Sequence, residues 1–233
     1  MYCRMGHWML RRVSLLLVAA ACLLAGCGEE AAGEGTAQLW ITRDRGSEVV
    51  LTATVPAGIS ALEALRRKTE VETRYGGRFV QAINGIEGDL SARHDWFWFV
   101  NGYEGDRSAA DYDLHPGDVL WWDHRSWATQ LRQPVVVGAF PEPFLHGWDG
   151  NRRPAVVRGP AGETAERLAE LIGGSVNEDR EGANTLVLVD GSGFRARVDG
   201  SAGDPVVFEL GLRDARRLVR EPSVARYRYE GLP

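Results

Sequence analysis

The sequence is poor in cysteine and lysine, and each shortage excludes a class of function. Its three cysteines, Cys3, Cys22 and Cys27, lie at the N-terminal end. Residues 28–233 therefore have no thiol for a disulfide, a metal site or a cysteine nucleophile. Lys68 is the only lysine, and the formal net charge is −5. Because no concentrated basic patch stands out, and phosphate binding needs one, we expect no nucleic-acid partner.

Catalytic and metal motifs are also missing. The chain has no G-x-S-x-G elbow, no Walker-type loop and no H-E-x-x-H pair. Histidine and carboxylate residues are neighbours at His94–Asp95, Asp123–His124 and His146–Asp149. None of these has paired ligand spacing, so we expect solvated or hydrogen-bonded roles and no metal or cofactor. We do not expect an enzyme.

The N-terminus has the pattern of an export signal. Arg4, Arg11 and Arg12 precede the apolar run "VSLLLVAAACLL", which is too short to span a bilayer. The following "LLAGC" resembles the lipobox of bacterial lipoproteins, whose cysteine receives a diacylglyceryl group. The resemblance implies a signal peptide over residues 1–26, lipidation at Cys27 and an extracytoplasmic protein anchored to the cell membrane. A plain secretory signal cleaved elsewhere is the alternative.

Residues 27–37 are small, acidic and nearly free of large apolar side chains, which predicts a flexible tether. A first domain is expected over residues 38–129. Its β-prone runs are "LWIT", "VVLTATV", "FVQAIN", "WFWFVN" and "VLWWD". A helix is expected after the second run, because Ser60 can cap it, Glu63 can complete a capping box and Ile59 can form a hydrophobic staple. The order β-β-α-β-β-β favours an α+β fold with a β-grasp-like mixed sheet.

Three segments of this domain occur in a distinctive series: "GGRFVQAINGIEG", "WFWFVNGYEGD" and "YDLHPGDVLWW". They resemble the transcobalamin-like C-terminal β-domain family. In the vertebrate cobalamin carriers of that family, the small domain closes over a corrinoid held otherwise by a helical barrel. No such barrel is present here, so the resemblance makes a cobalamin-like ligand a candidate without implying it.

Each motif also has a structural interpretation. Asn84-Gly85 and Asn101-Gly102 are typical of tight turns, and "HPGD" at residues 115–118 is typical of a turn without chemistry. "WFWFV" is harder to explain, since neither face of the strand is polar. We expect Trp96 and Trp98 to point away from the helix. The exposed patch would be large enough to need a cover, either from the second domain or from a ligand or partner.

Residues 134–233 predict a second small α+β domain. The segments "VVVGAF", "AVV", "TLVLVD", "FRARVD", "VVFEL" and "ARYRY" are expected to be strands. "ETAERLAELIGG" is expected to be an amphipathic helix ended by Gly173-Gly174, and "LRDARRLVR" is a candidate second helix. The loop at residues 141–154 is either a proline-rich connection or part of a binding site.

These observations favour a monomeric binding protein with an aromatic platform for a small, largely apolar or ring-shaped ligand that is passed to a membrane transporter. The candidate ligand-binding residues are Trp96, Trp98, Tyr103, Trp121, Trp122, Trp127, Phe144, His146 and Trp148. An alternative is an interaction module that docks an envelope or integral membrane protein. A cell-envelope hydrolase is a more distant alternative.

Overall fold

The computed structural model describes residues 35–233, which form an α+β fold. The predicted signal peptide and Cys27 lie outside the described residues. The first strand already begins at Thr36, so the last two residues of the predicted tether belong to the fold. Among residues 35–233, no helix has the length and hydropathy needed to cross a bilayer.

The first half of the described chain contains eight strands and one α-helix. In chain order the strands are β1 (Thr36–Arg43), β2 (Glu48–Pro56), β3 (Val71–Arg74), β4 (Phe79–Ile83), β5 (Ile86–Glu87), β6 (His94–Val100), β7 (Tyr103–Glu104) and β8 (Val119–Ser126), with helix α1 (Ala61–Arg66) after β2. Five strands form a sheet in the order β2-β1-β8-β6-β7, while β3, β4 and β5 form a smaller sheet. Strands β1 and β8 are parallel and their other neighbours are antiparallel, which gives the predicted mixed sheet.

Local signals in the sequence explain how α1 and two hairpins form. The Ser60 side chain accepts a hydrogen bond from the Glu63 backbone N–H at 3.1 Å, as predicted for the helix N-cap. The Glu63 carboxylate does not complete the capping box, and it pairs instead with Arg67 at 3.1 Å. Asn84-Gly85 and Asn101-Gly102 both have positive φ at each residue and connect β4 to β5 and β6 to β7.

The second half of the described chain contains a second five-stranded sheet. Its elements are β9 (Ala155–Arg158), α2 (Glu163–Leu171), β10 (Ser175–Val176), β11 (Asn184–Val189), β12 (Phe194–Val198), β13 (Val206–Gly211) and α3 (Leu212–Arg220). The strand order is β10-β9-β11-β13-β12. The two predicted helices both form, and Phe208 lies at the centre of the core, 5.1 Å from Phe144 and 5.6 Å from Phe194 between ring centroids.

Two segments predicted as strands take a different role. Residues 135–140 are a loop that makes only an isolated bridge from Val135 to Tyr103. Of residues 225–229, Ala225 ends a short 3₁₀ helix at Pro222–Ala225 and the other four residues follow it. Both segments lie on a face of the first sheet, where Val136 and Tyr229 are buried with Trp121. The apolar side chains of these segments are buried because the segments cover a sheet. An apolar composition is therefore compatible with a covering loop as well as with a strand.

The two faces of β6 are both buried, by different parts of the chain. Trp96 and Val100 belong to the same core cluster as Leu62 and Leu65 of α1, and Trp98 packs against that cluster. The tryptophans therefore lie on the helix side of the sheet, and the expectation that they point away from the helix is wrong. Phe99 and Phe97 face the C-terminal segment instead. Periodicity separates the two pairs and contains no information on which pair meets the helix.

The face beneath the C-terminal segment contains a buried carboxylate. One oxygen of Asp123 accepts hydrogen bonds from the Thr42 hydroxyl at 2.6 Å and the Gly46 N–H at 3.2 Å, and the other accepts from the Tyr229 hydroxyl at 2.8 Å. Burial raises the pKa of Tyr229, so its hydroxyl keeps the proton that it donates. Three donors thus replace the water that this carboxylate loses.

We predict that Tyr229→Phe lowers the free energy of unfolding by about 1.5–3 kcal/mol, the range for a hydrogen bond to a charged group. Tyr227→Phe is the matched control, because Tyr227 is half-buried on the same face and its hydroxyl makes no hydrogen bond within the described residues. Urea unfolding followed by fluorescence measures both. Equal effects of the two substitutions would contradict the role given to the Tyr229 hydroxyl.

Candidate functional site

A groove of about 410 Å³ lies on the helix side of the first sheet. The indole rings of Trp96, Trp98 and Trp122 line it from the sheet, and Leu62 and Val80 line it from α1 and β4. We call it the aromatic groove. Its volume falls in the range of about 300–1,000 Å³ that is usual for small-molecule sites.

Trp98 is held between two other indoles. Its ring centroid is 6.2 Å from that of Trp122 and 6.3 Å from that of Trp148, with interplanar angles of 26° and 30°. Gly105 permits this position, because a Cβ added there would lie 2.1 Å from an atom of the Trp98 ring. Trp98 is only half-buried, so one part of this stacked row is exposed in the groove.

Exposed apolar side chains are concentrated at this groove. Phe79, Leu90 and Leu131 border it with exposed fractions of 38%, 74% and 57%, and half-buried Trp127 joins them. Tyr75, exposed by 79%, lies beside Phe79 on the adjoining surface. Large exposed apolar residues elsewhere in the described chain are Val49 and Val50 on strand β2. Such clustering is typical of a binding surface.

The arginines at the groove are each paired with a carboxylate. Nε of Arg132 donates to Glu104 at 2.7 Å, Arg107 lies 2.9 Å from Asp149, and Arg78 pairs with Asp111. A further carboxylate, Asp95, accepts a hydrogen bond from the Trp96 N–H, and burial raises its pKa. The groove therefore presents no unpaired guanidinium and is suited to an uncharged, apolar surface.

The segment that carries Leu131 is held from the opposite side of the sheet. Arg125 is fully buried and donates hydrogen bonds to the carbonyl oxygens of Gln130 and Leu131 at 2.8 and 2.9 Å. Its guanidinium also stacks on Phe97, 3.7 Å from the ring centroid. Burial lowers the pKa of Arg125. The rim residue Leu131 is thus positioned by a cation that does not itself enter the groove.

Part of the loop at residues 141–154 completes the wall behind Trp98. Trp148 is buried, 4.7 Å from Tyr112 and 5.9 Å from Tyr103 between ring centroids. The Tyr103 hydroxyl donates to the Asp204 carbonyl at 2.8 Å, and burial raises the pKa values of both tyrosines. Trp148 therefore supports the stacked row from behind and is not itself a groove-lining residue.

Residues 58–126 match the family described as Domain of unknown function (DUF4430). The match lies inside the region that resembles the transcobalamin-like C-terminal β-domains. No curated protein matches the chain.

Two solved structures show weaker likeness. A protein from Ruminococcus gnavus ATCC 29149, provisionally described as metal-binding, is 14% identical over 40% of this chain and 98% of its own, with a TM-score of 0.34. Haptocorrin, solved in complex with Cbi, is 17% identical over 45% of this chain and 28% of its own, with a TM-score of 0.33. Likeness at this level supports no assignment of function.

The nine predicted ligand-binding residues lie in five different places in the structure. Four of them line the aromatic groove: Trp96, Trp98, Trp122 and Trp127. Tyr103 and Trp148 lie behind it. Trp121 belongs to the opposite face, where its Nε1 donates to Thr42 at 2.7 Å, and Phe144 belongs to the core of the second sheet. His146 lies away from the groove.

Several groove residues were not predicted from the sequence. The sequence pattern around Phe79 and Leu62 predicts ordinary core positions. Leu90 is a single large apolar residue in the polar turn "GDLSA", and this isolation was a signal of an exposed binding residue. Leu131 follows the last predicted strand of the first domain and lies in a segment without periodic apolar spacing. Within the described part of the chain, no three histidine, cysteine, aspartate or glutamate residues are grouped so that they could hold a metal ion.

His146 stabilises the 141–154 loop. Its Nδ1 lies 2.6 Å from Oε1 of Glu142, and its backbone N–H donates to Oε2 at 2.9 Å. The hydrogen bond with Glu142 raises the pKa of His146. The loop is also tied to the first sheet by Asn101, whose Nδ2 donates to Asp118 at 2.7 Å and to the Gly147 carbonyl at 2.9 Å.

We predict that Gly105→Ala destabilises the protein by about 1–3 kcal/mol, because the new methyl group overlaps the Trp98 ring. The control is the same substitution in a Trp98→Ala background, where the added methyl has no ring to meet and its cost falls to a small fraction of that value. Urea unfolding of the four proteins gives the coupling energy. Additive effects would contradict the contact.

We predict that the unfolding free energy falls as pH rises through the raised pKa of His146. A histidine whose folded pKa is raised contributes stability that is fully present below its unfolded pKa, near 6.5, and lost above the folded value. Wild type, His146→Gln and Glu142→Gln are compared by denaturation across this range. Both substitutions remove the pH-dependent difference, and a wild-type slope retained in His146→Gln would refute the assignment.

Proposed function

We propose that this protein is a lipid-anchored extracytoplasmic binding protein that holds a small, largely apolar or ring-shaped ligand in the aromatic groove. It catalyses no reaction in this proposal. The observation that carries it is the gathering of the exposed side chains of Phe79, Leu90 and Leu131 around a groove lined by four tryptophans. Water contact with this surface is unfavourable, and a bound ligand would remove it.

The chemistry of the groove narrows the ligand class. The indole ring centroids lie 6.2 and 6.3 Å apart in the stacked row, and such a row favours a ligand with a flat surface. The guanidinium groups at the groove are paired with carboxylates, so they are not available to an anionic ligand. A corrinoid or another micronutrient with a ring system fits this description. Delivery of such a ligand to a membrane transporter accords with the lipobox-like sequence before Cys27.

A second function is favoured by the surface beyond the groove. Tyr75 and Leu90 are exposed by 79% and 74%, and both border a neighbouring depression. A small ligand inside the groove would not cover Tyr75. Docking of an apolar segment of an envelope or integral membrane protein would cover both regions at once, with the same tryptophans as its anchor.

The hydrolase alternative has less support. The close histidine–carboxylate pair His146–Glu142 lies outside the aromatic groove, and both Glu142 oxygens are engaged by His146. In such a pair the imidazole would be the base and the carboxylate would orient it, so the pair would have to face the groove to act on a ligand bound there. We therefore assign this pair to the stability of the loop.

We predict that cobalamin or a metal-free porphyrin quenches the tryptophan fluorescence of the protein in a saturable manner. Leu90→Asp and Leu131→Asp, each placing a carboxylate at the rim, weaken binding about tenfold or more, the equivalent of losing one buried leucine contact. Val49→Asp is the matched control, since Val49 is exposed by 48% on strand β2 and lies outside the groove. Its affinity equals that of the wild type.

The outcomes separate the two functions. Saturable quenching that is weakened by the rim substitutions and unaffected by Val49→Asp supports a small-molecule site. Absence of quenching by both ring compounds, together with a stoichiometric membrane protein that copurifies with wild type and not with Leu90→Asp, supports docking. Equal weakening by Val49→Asp would remove the groove from either function.

A further inference from the structure

Helix α3 presents a row of arginines on one side. Arg213, Arg216, Arg217 and Arg220 are spaced at i, i+3, i+4 and i+7, which places them on one helical face. All four are exposed, whereas Ala215 and Leu218 on the opposite side are fully buried. We call these four residues the arginine row. The sequence composition did not indicate a concentrated basic patch, and the structure shows one here.

The charge of the arginine row is largely unneutralised. Within residues 35–233, the guanidinium groups of Arg213, Arg216 and Arg220 form no ion pair and no side-chain hydrogen bond, while Arg217 donates to the carbonyl oxygen of Pro233. The carboxylate of α3 itself, Asp214, accepts a hydrogen bond from the Gly193 N–H at 2.6 Å. It is therefore not the partner of its neighbouring arginines.

Three other arginines of the second half are paired with carboxylates. Arg158 lies 2.9 Å from Asp179, Arg180 lies 2.7 Å from Glu178, and Arg195 pairs with Glu209. The arginine row differs from these arginines, because three of its four guanidinium groups have no ion pair and no side-chain hydrogen bond within residues 35–233.

A cleft of about 690 Å³ adjoins the arginine row between α2 and α3. Arg216 and Arg220 line it from α3, and Thr164 and Arg167 line it from α2, with Leu171 and Val219 as apolar contacts. Glu163 and Glu170 also line the cleft and lower its positive potential, although Glu170 is paired with Arg167 at 3.1 Å. The cleft has room for a phosphate-bearing group next to the exposed row.

We propose that the arginine row is a docking surface for a membrane rich in anionic phospholipid. Guanidinium groups bind phosphate in a bidentate manner, and a row along a convex helix can contact several headgroups at once. Because the apolar side of α3 is buried against its own sheet, the helix lies on the membrane surface without inserting. Clusters of four or more arginines beside a membrane are typical of binding to anionic lipid.

The test measures cosedimentation of the full chain with vesicles of phosphatidylcholine alone and with roughly 30% phosphatidylglycerol, at two salt concentrations. Any binding through the apolar N-terminal segment would be common to both vesicle types, so the readout is the increment caused by the anionic lipid. Arg216→Gln/Arg220→Gln removes two guanidinium groups that form no ion pair and no side-chain hydrogen bond within residues 35–233. We expect this increment to fall about 25-fold, or about fivefold per arginine, and to fall with added salt.

The matched control is Arg158→Gln/Arg180→Gln, which makes the same change in net charge on arginines that are already paired. We expect it to retain the wild-type increment. Three results would overturn the proposal: no increment with anionic lipid, an increment that survives Arg216→Gln/Arg220→Gln, or equal loss in the control. If the first is accompanied by capture of an acidic protein through the same two arginines, the row serves protein docking instead. None of these results affects the aromatic groove.

Discussion

Strand β8 is buried on both of its faces, and the first sheet cannot be stable unless both faces are covered. Trp121 and Trp122 follow each other in this strand, point to opposite sides and are exposed by no more than 2%. On one side the cover comes from α1, the small sheet and Trp148. On the other it comes from residues 135–139 and Tyr229. Both halves of the described chain therefore contribute to the core of this one sheet.

Polar contacts, as well as the burial of apolar area, determine which segments cover the second face of the sheet. Asp123 and Arg125 follow Trp121 on the covered face of β8, and both are fully buried. An unpaired charge there would cost several kcal/mol. The hydroxyl of Tyr229 reaches Asp123, and the carbonyl oxygens of Gln130 and Leu131 reach Arg125. These contacts fix which segment covers the face, and they connect it to the rim of the aromatic groove.

The predictions from the sequence succeeded where short-range signals decide the structure. The Ser60 cap, the two Asn-Gly turns and helix α2 each depend on a few neighbouring residues. Residues 135–140 and 225–229 were misassigned because apolar composition does not distinguish joining a sheet from covering one. For the same reason the sequence indicated Trp121 and Trp122 alike, although only Trp122 lines the groove. Leu90 and Leu131 were not predicted, because their exposure beside the groove is determined by how the sheets pack, which a local sequence pattern does not contain.

The aromatic groove and the arginine row differ in whether their arginines are paired with carboxylates. At the groove, Arg78, Arg107 and Arg132 are each paired with a carboxylate, so their stems border an apolar site while their charges are neutralised. On α3, Arg216 and Arg220 have no such partner among residues 35–233. An unpaired guanidinium keeps its full attraction for phosphate, which salt screens, whereas apolar contact in the groove is little affected by moderate salt. The proposed ligand binding and the proposed membrane contact would therefore depend on different forces, and either could change without altering the other.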